Sequence, residues 1–203
     1  QPHGCSALDP LPEVQPLIKA VERRIPFDAA QAQVLVGQPG MRRNDPDYFP
    51  LFVGNYILGG GGFVSRLNTE VREKRGLSYS VYSYFSPGLQ AGPFQLGLST
   101  RPDQADQALA VAREVVARFV ATGPTEAELK AAKDFLLNGF ALRIDSNRKL
   151  LDNVANIAWN ELPLDYLDGW TAQVQRVSAA DIRRAFQRAL QPERMVTVVV
   201  GAP

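Results

Sequence analysis

Residues 57–80 read ILGGGGFVSRLNTEVREKRGLSYS, and this stretch decides how the chain divides into helices and strands. Four consecutive glycines, 59–62, end a helix that arrives from upstream, because glycine adopts backbone conformations closed to other residues. A second helix follows, with Phe63, Leu67 and Val71 spaced by four on one face. The stretch therefore predicts two helices joined by a glycine turn.

The upstream helix is expected to begin at Asp45–Pro46, with aspartate as the N-cap and proline at the first helical position. It runs through Leu58. Pro50 fits this helix only if the helix starts later or is kinked, because proline past the first turn removes a backbone hydrogen bond.

Short apolar or alternating runs on both sides predict strands at 34–36, 77–85, 94–98 and 195–200. In the second run Leu77, Tyr79, Val81 and Phe85 are expected to share one face. A loop with proline and two glycines, 87–92, joins the middle two runs as a hairpin. The fold class is therefore α+β, with a mostly antiparallel or mixed sheet and helices packed on it.

Residues 103–190 read as almost entirely helical. Pairs spaced like capping boxes mark three expected helix starts. These pairs are Thr100 with Asp103, Thr125 with Glu128, and Ser178 with Asp181.

Composition excludes several function classes. The chain has 203 residues, 45% hydrophobic and 21% charged, which suits one soluble domain large enough to bury a core. Its 22 basic and 21 acidic side chains give no reason to expect nucleic acid or an anionic membrane as a partner. No apolar run approaches the roughly 20 residues of a membrane span.

The single histidine, His3, and the single cysteine, Cys5, lie near the amino terminus. A zinc site needs three or four ligands, and a Ser–His or Cys–His nucleophile needs a positioned histidine, so we expect no metal site in this chain. Residues 1–30 are proline-rich and read as a linker or disordered lead-in, with the domain at 31–203. Gln1 is not an initiator methionine, so a longer parent chain is expected.

The glycine run permits two interpretations: a plain helix–helix turn, or a loop that lets a ligand backbone approach closely. A phosphate loop does not fit, because no strand leads into the run and no Gly-Lys-Ser/Thr follows. The basic side chains at 66, 72, 74 and 75 alternate with Glu70 and Glu73, as on a solvated helix face.

Other clusters have an ordinary structural interpretation. Tyr79, Tyr82, Tyr84 and Phe85 could stack on bases, but aromatic residues are also favoured in strands. No spacing distinguishes any pair among the downstream acids, which are therefore expected to be surface charges. These acids are Asp152, Glu161, Asp165 and Asp168.

One combination is more specific. ILGGGGFVSRL at 57–67 followed by VREKRGLSYS at 71–80 resembles the zinc-free, C-terminal half of pitrilysin/insulinase-family zinc metallopeptidases. The likeness continues in GPTEAELK at 123–130, LPLDY at 162–166 and VSAAD at 177–181. It covers roughly residues 30–203.

The resemblance implies that two similar halves face each other around a peptide substrate. One half carries zinc on a His-x-x-Glu-His motif, and the other supplies an arginine and a tyrosine seven positions apart, which match Arg72 and Tyr79. It also implies substrate contacts from the cavity wall, where strand addition would suit a peptide. The matching wall residues are Gly59, Gly60, Gly61, Gly62 and Phe63.

Spacing alone favours a structural interpretation, with Tyr79 a core aromatic beside Leu77 and Val81 and Arg72 in a surface ion pair. The resemblance favours the functional interpretation. The chain would then not act alone but would complete the active site of an HxxEH half, in the same polypeptide or in a separate subunit. A homo- or hetero-oligomer is compatible with either arrangement.

The alternative is a scaffold or assembly subunit of the same fold without peptidase activity. A pure scaffold has no need of both Arg72 and Tyr79. Bacterial relatives lead us to expect a periplasmic or cell-envelope location for the parent.

Overall fold

The computed structural model describes residues 11–201, and its sheet has five strands in the order β1-β5-β2-β4-β3. Neighbouring strands pair antiparallel, except that β1 and β5 are parallel. The predicted α+β class with a mixed sheet is confirmed. The strands are β1 Val21–Ile25, β2 Ala32–Pro39, β3 Ser80–Phe85, β4 Pro93–Thr100 and β5 Val196–Val200.

Alternating side chains bury one face of the sheet. Val34 and Val36 of β2 lie opposite Leu98 and Leu96 of β4, and all four side chains are buried. Between them, Leu35 points to the other face and is half-exposed. Helices therefore cover one face, while the other remains partly open to solvent.

Six α-helices complete the domain, and several of them build the buried layer over the sheet. Phe119 of α2 and Phe186 of α6 meet edge to face with ring centres 4.8 Å apart. Gly54 of α1 lies so close to α6 that a Cβ there would come 2.7 Å from the Ile182 Cγ2 atom. The helices are α1 Tyr48–Asn55, α2 Ala105–Thr122, α3 Glu126–Asn138, α4 Asn147–Trp159, α5 Tyr166–Arg176 and α6 Ala179–Ala189.

Two of the three predicted capping boxes are confirmed. Thr125 with Glu128 begins α3, and Ser178 with Asp181 begins α6. The box predicted at Thr100 and Asp103 is wrong. Thr100 ends β4, where its hydroxyl donates to the Leu77 carbonyl, and α2 begins only after a 3-10 turn at Pro102–Gln104.

The helix expected from residue 45 starts at Tyr48, after a turn in which the Asp47 amide donates to the Asp45 carboxylate. Pro50 then falls in the first helical turn, where a backbone N–H has no intrahelical partner. The later start therefore removes the conflict that proline posed.

The second predicted helix is shorter than expected. Its π-helical part covers Asn68–Glu73, and Leu67 and Val71 are buried as the pattern predicts. Phe63 does not share their face: it lies in a 3-10 turn, Gly62–Val64, and is 69% exposed. The turn intervenes between the glycine run and the helix, so the spacing of four is not continued.

Strand β1 corrects the predicted boundary at residue 31, because residues 21–25 are a sheet strand rather than part of a linker. Arg24 pairs with Asp106 of α2, and Glu22 pairs with Arg113, so the strand is tied to a core helix. Residues 1–10, with His3 and Cys5, lie outside the described part. Among residues 11–201 no helix is both long and apolar enough to cross a membrane.

Candidate functional site

The glycine run joins α1 to the second helical segment through a π-helical turn, Tyr56–Gly60. Gly59 is buried against β3, where a Cβ would come 2.5 Å from the Ser83 backbone nitrogen. Gly62 has φ +61°, in the left-handed region that glycine occupies without strain. These two glycines are therefore required by packing and by chain direction.

Gly60 and Gly61 have different surroundings. Gly60 is exposed, and a Cβ on Gly61 would meet the Tyr56 carbonyl oxygen at 2.7 Å. The helix–helix turn interpretation thus accounts for Gly59, Gly61 and Gly62. Substrate contact by the run stays a prediction, and Gly60 and Gly62 are its exposed members.

Ser83, at the centre of β3, is locked to α1 by a reciprocal pair of hydrogen bonds. The Asn55 amide donates to the Ser83 carbonyl at 3.0 Å, and the Ser83 hydroxyl donates to the Asn55 side-chain oxygen at 2.7 Å. Because β3 is an edge strand, this carbonyl would otherwise be free to pair with an added strand. The Asn55 side chain therefore occupies one acceptor position at the middle of β3.

Arg72 lies on the π-helical segment Asn68–Glu73, with its guanidinium carbon 4.9 Å from the centre of the Phe63 ring. A cation over an aromatic face is attracted by the ring quadrupole. Among residues 11–201, none of the ion pairs includes Arg72. The surface ion pair considered for it from the sequence is thus absent from the described residues.

Tyr79 follows the turn at Gly76, which has φ +62° and donates its amide to the Arg72 carbonyl at 2.8 Å. The Tyr79 amide donates to the Ser99 carbonyl at 2.9 Å, but β3 proper begins one residue later. Its side chain is 55% exposed, whereas Leu77 and Val81 are buried. The expectation that Tyr79 shares their face is wrong, because the chain bends before the strand begins.

Arg101 is a cation near Tyr79 that the sequence pattern did not single out. Its pKa is raised, chiefly by its hydrogen bond to Asp103 and more weakly by the nearby Tyr79 hydroxyl. Arg72 lies on the helical segment before β3, whereas Arg101 directly follows β4.

Tyr82 and Tyr84 cover the sheet rather than forming an open platform. Their rings stack with centres 6.0 Å apart. The Tyr82 ring lies over Gly97 of β4, where a Cβ would come 2.6 Å from its Cζ atom. Their stacking therefore fills the space left by a glycine without a side chain.

A cleft of about 600 Å³ opens beside the glycine run, between α1, α3 and β3. We call it the aromatic cleft, because Tyr48, Phe52, Tyr56, Phe85 and Phe135 line it. Gly59, Gly60 and Gly62 also line it. Sequence reasoning did not identify it, although Tyr48, Phe52 and Tyr56 recur at the spacing of four that marks one helix face.

Two arginines flank Tyr48 at one end of the aromatic cleft. The Arg43 guanidinium carbon lies 3.9 Å from the Tyr48 ring centre, and Arg43 donates to the Tyr166 hydroxyl at 2.8 Å. Arg143 lines the cleft itself. Burial raises the pKa of Tyr48 to about 12, in spite of the two cations, so its hydroxyl stays protonated.

Arg66 fixes the helical segment to the start of α3. It donates to both Glu128 carboxylate oxygens, at 2.6 and 2.7 Å, and to the Gly123 carbonyl at 3.1 Å. Burial raises the pKa of Glu128, but the hydrogen bonds from Arg66 and Thr125 outweigh it and bring the value to about 2. Of the basic side chains at 66, 72, 74 and 75, Arg66 therefore has a structural role.

The acidic side chains expected to be surface charges lie at the surface: Asp152, Glu161, Asp165 and Asp168 are all exposed. Within residues 11–201, no three histidine, cysteine, aspartate or glutamate side chains come together as a metal site.

Comparison with protein families decides the assignment. The family described as "Peptidase M16 inactive domain" matches residues 6–136. The chain belongs to the peptidase M16 inactive-domain family. This confirms the resemblance to the zinc-free half of pitrilysin-type metallopeptidases.

Solved and curated relatives of this M16 inactive domain agree. A crystal structure of a peptidase M16 inactive domain from Pseudomonas fluorescens superposes with a TM-score of 0.90 at 36% identity, covering 97% of this chain and 47% of that one. An uncharacterised zinc protease of Streptomyces coelicolor is 31% identical over 200 residues, 93% of this chain and 43% of its own length.

A third relative carries a different description. A protein of Helicobacter pylori described as a non-peptidase homologue is 33% identical over 169 residues, 81% of this chain and 38% of its own length. The M16 inactive domain therefore spans less than half the length of these relatives, of which one is described as a zinc protease and one as a non-peptidase homologue.

Proposed function

We propose that this M16 inactive domain is the zinc-free half of a zinc metalloendopeptidase and completes the active site of an HxxEH half. Arg72 and Tyr79 are the residues assigned to the reaction, and the glycine run with Phe63 forms the adjoining wall. Zinc, held by the companion half, would supply the Lewis acid. This chain would bind and orient the peptide.

The observation that carries the proposal is the placement of Arg72 and Tyr79. Both side chains are accessible and lie on either side of the Gly76 turn. Among the described residues, neither side chain is buried in the core and neither forms an ion pair. A guanidinium and a phenol both donate hydrogen bonds, as stabilising charge on the oxygen of a scissile carbonyl requires. Arginine keeps its charge at any working pH.

A companion half is supported by the outer face of α4. This helix buries only Ile157 within the domain, whereas Leu150, Leu151, Val154 and Trp159 are exposed. Exposed large apolar side chains grouped on one helix mark a surface that another protein surface covers. The relatives have more than half of their length outside the region matched here, which is enough for a second domain.

The direct test is peptide cleavage by a zinc-loaded HxxEH half with this chain added as wild type or as Tyr79→Phe. We expect wild type to restore cleavage and Tyr79→Phe to lower kcat about 10²-fold, as for one lost oxyanion donor. Equal rates for the two forms would make Tyr79 structural.

A second candidate function is a non-catalytic scaffold or assembly subunit of the same fold. The relative from Helicobacter pylori described as a non-peptidase homologue favours it. A parent without an HxxEH motif, and without a partner that carries one, would decide for the scaffold. A periplasmic or cell-envelope location and the oligomeric state stay predictions.

A further inference from the structure

The aromatic cleft has the size and surface of a ligand site. Its volume of about 600 Å³ lies within the roughly 300–1,000 Å³ typical of small-molecule pockets. Tyr56 and Phe135 form one wall, with ring centres 5.1 Å apart. A large apolar side chain entering it would be removed from water on several sides.

The polar groups on the floor of the aromatic cleft are already paired. Asn55 and Ser83 exchange two hydrogen bonds, which fix the orientation of both side chains. The Ser83 carbonyl accepts from Asn55, and the Ser83 amide nitrogen lies against Gly59, so α1 and the glycine run cover the middle of β3 against strand addition. Recognition by a side chain inside the cleft is the alternative.

Arg143 is the one charged residue among those that line the aromatic cleft. Its guanidinium stacks near the rings of Phe52 and Trp170, at 5.6 and 5.2 Å from their centres. No ion pair among residues 11–201 includes it.

The acids nearest to Arg143 in sequence are already engaged. Asp145 pairs with Lys149, and Asp152 lies 3.7 Å from Arg148. The cleft thus combines apolar walls with a cation that has no carboxylate partner among the described residues.

We propose that the aromatic cleft binds a large apolar side chain of a peptide substrate, with Arg143 binding a carboxylate on the adjacent peptide residue. The inference rests on the proposed function for its ligand class, a peptide. It adds that the zinc-free half selects apolar–acidic sequences.

Binding to this chain alone tests the inference without catalysis, so its failure is distinct from failure of the proposed function. The probe is acetyl-Ser-Ala-Phe-Glu-Ala-Ser-amide, titrated into the nitrogen-15-labelled chain while backbone amide shifts are followed. We expect saturable shifts at Gly60 and Gly62, which line the cleft. Alanine in place of phenylalanine should weaken binding at least about 10-fold, because the apolar contact is lost.

The charge is tested separately. Lysine in place of glutamate should weaken binding roughly 2- to 5-fold, as for a solvent-exposed ion pair. Arg143→Gln should abolish that difference between the two peptides. Arg148→Gln is the matched control, because Arg148 is exposed on α4 and does not line the cleft.

Phe135→Ala removes one wall of the aromatic cleft. It should weaken binding of the phenylalanine peptide by about the same factor as replacing the peptide's phenylalanine with alanine. Phe27→Ala is the matched control, since Phe27 is 66% and Phe135 62% exposed and only Phe135 lines the cleft. Equal binding of the phenylalanine and alanine peptides, shifts located away from the glycine run, or equal effects of the two Phe→Ala variants would each overturn the inference.

Discussion

The Arg72 guanidinium carbon lies 4.9 Å from the centre of the Phe63 ring, so the glycine-run wall and the proposed catalytic cation are in contact. Phe63 is exposed and contributes nothing to the buried core. Its position is explained by this stacking, which restricts the rotamers of a long and flexible side chain. We therefore expect Phe63 to position Arg72.

Replacing Phe63 tests that contact. A cation–π contact at an exposed site contributes about 0.5–1 kcal/mol, so Phe63→Leu should lower kcat/KM of the assembled peptidase roughly 2- to 5-fold. Phe63→Tyr keeps the ring and should retain activity. Val64→Ala is the control, because Val64 is the exposed neighbour without that contact. An equal loss of kcat/KM in Val64→Ala would show that activity depends on the conformation of the turn and not on the Phe63 ring.

Two glycine-to-alanine substitutions should change stability in opposite directions. A Cβ at Gly59 would overlap Ser83, and such overpacking costs about 1–3 kcal/mol. Gly169 lies in α5 with nothing within 4 Å of a Cβ, so alanine there should stabilise by about 0.5–1 kcal/mol through helix propensity. Urea unfolding of the two variants measures both changes. A Gly59→Ala protein as stable as wild type would mean that β3 shifts freely.

The Arg66–Glu128 pair predicts a pH dependence of stability. The folded-state pKa of Glu128, about 2, lies below its ordinary value of 4.5, so the unfolded state binds the proton more readily. The stabilisation is complete above about pH 4.5 and is lost as the pH falls towards 2. It is of the order of 2 kcal/mol after allowance for partial exposure.

Glu128→Gln should therefore flatten the decline in the free energy of unfolding between pH 4.5 and 2. Glu114→Gln serves as the control, because Glu114 lies 3.7 Å from Arg118 on an exposed helix surface. Parallel pH profiles for wild type and Glu128→Gln, measured by chemical denaturation, would contradict the assignment.

The α4 surface predicts how the companion half binds. Trp159 is 73% exposed and Trp170 is buried, so a Trp170→Phe variant reports the environment of Trp159 alone. Its emission should shift to shorter wavelength when the HxxEH half binds, because the indole leaves water.

Leu151→Ser should weaken that association while changing the free energy of unfolding by no more than about 0.5 kcal/mol, because Leu151 is exposed in the domain. Ile18→Ser removes another exposed aliphatic side chain, outside α4, and should leave association unchanged. An unshifted Trp159 emission in a complex that forms would place the interface elsewhere.

The spacing of residues along the sequence predicted much of the secondary structure. Alternation at Phe94, Leu96 and Leu98 predicted β4 and its buried face, and the polar pairs at 125/128 and 178/181 predicted the starts of α3 and α6. These features depend on neighbours within one turn or one strand, so sequence alone contains them. Strand β1 was missed because its residues VERRI are all exposed and it owes its conformation to β5, at the other end of the chain.

The sequence by itself determined the α+β class and the family, because each depends on local residue patterns. Only the tertiary structure decided that Tyr79 faces solvent, that Phe63 stacks on Arg72 and that the aromatic cleft exists. The cleft unites Tyr56 of the π-helical turn with Phe135 of α3, which are far apart in sequence. The physical reason is that side-chain packing between distant segments, not local propensity, sets which groups meet and which remain in water.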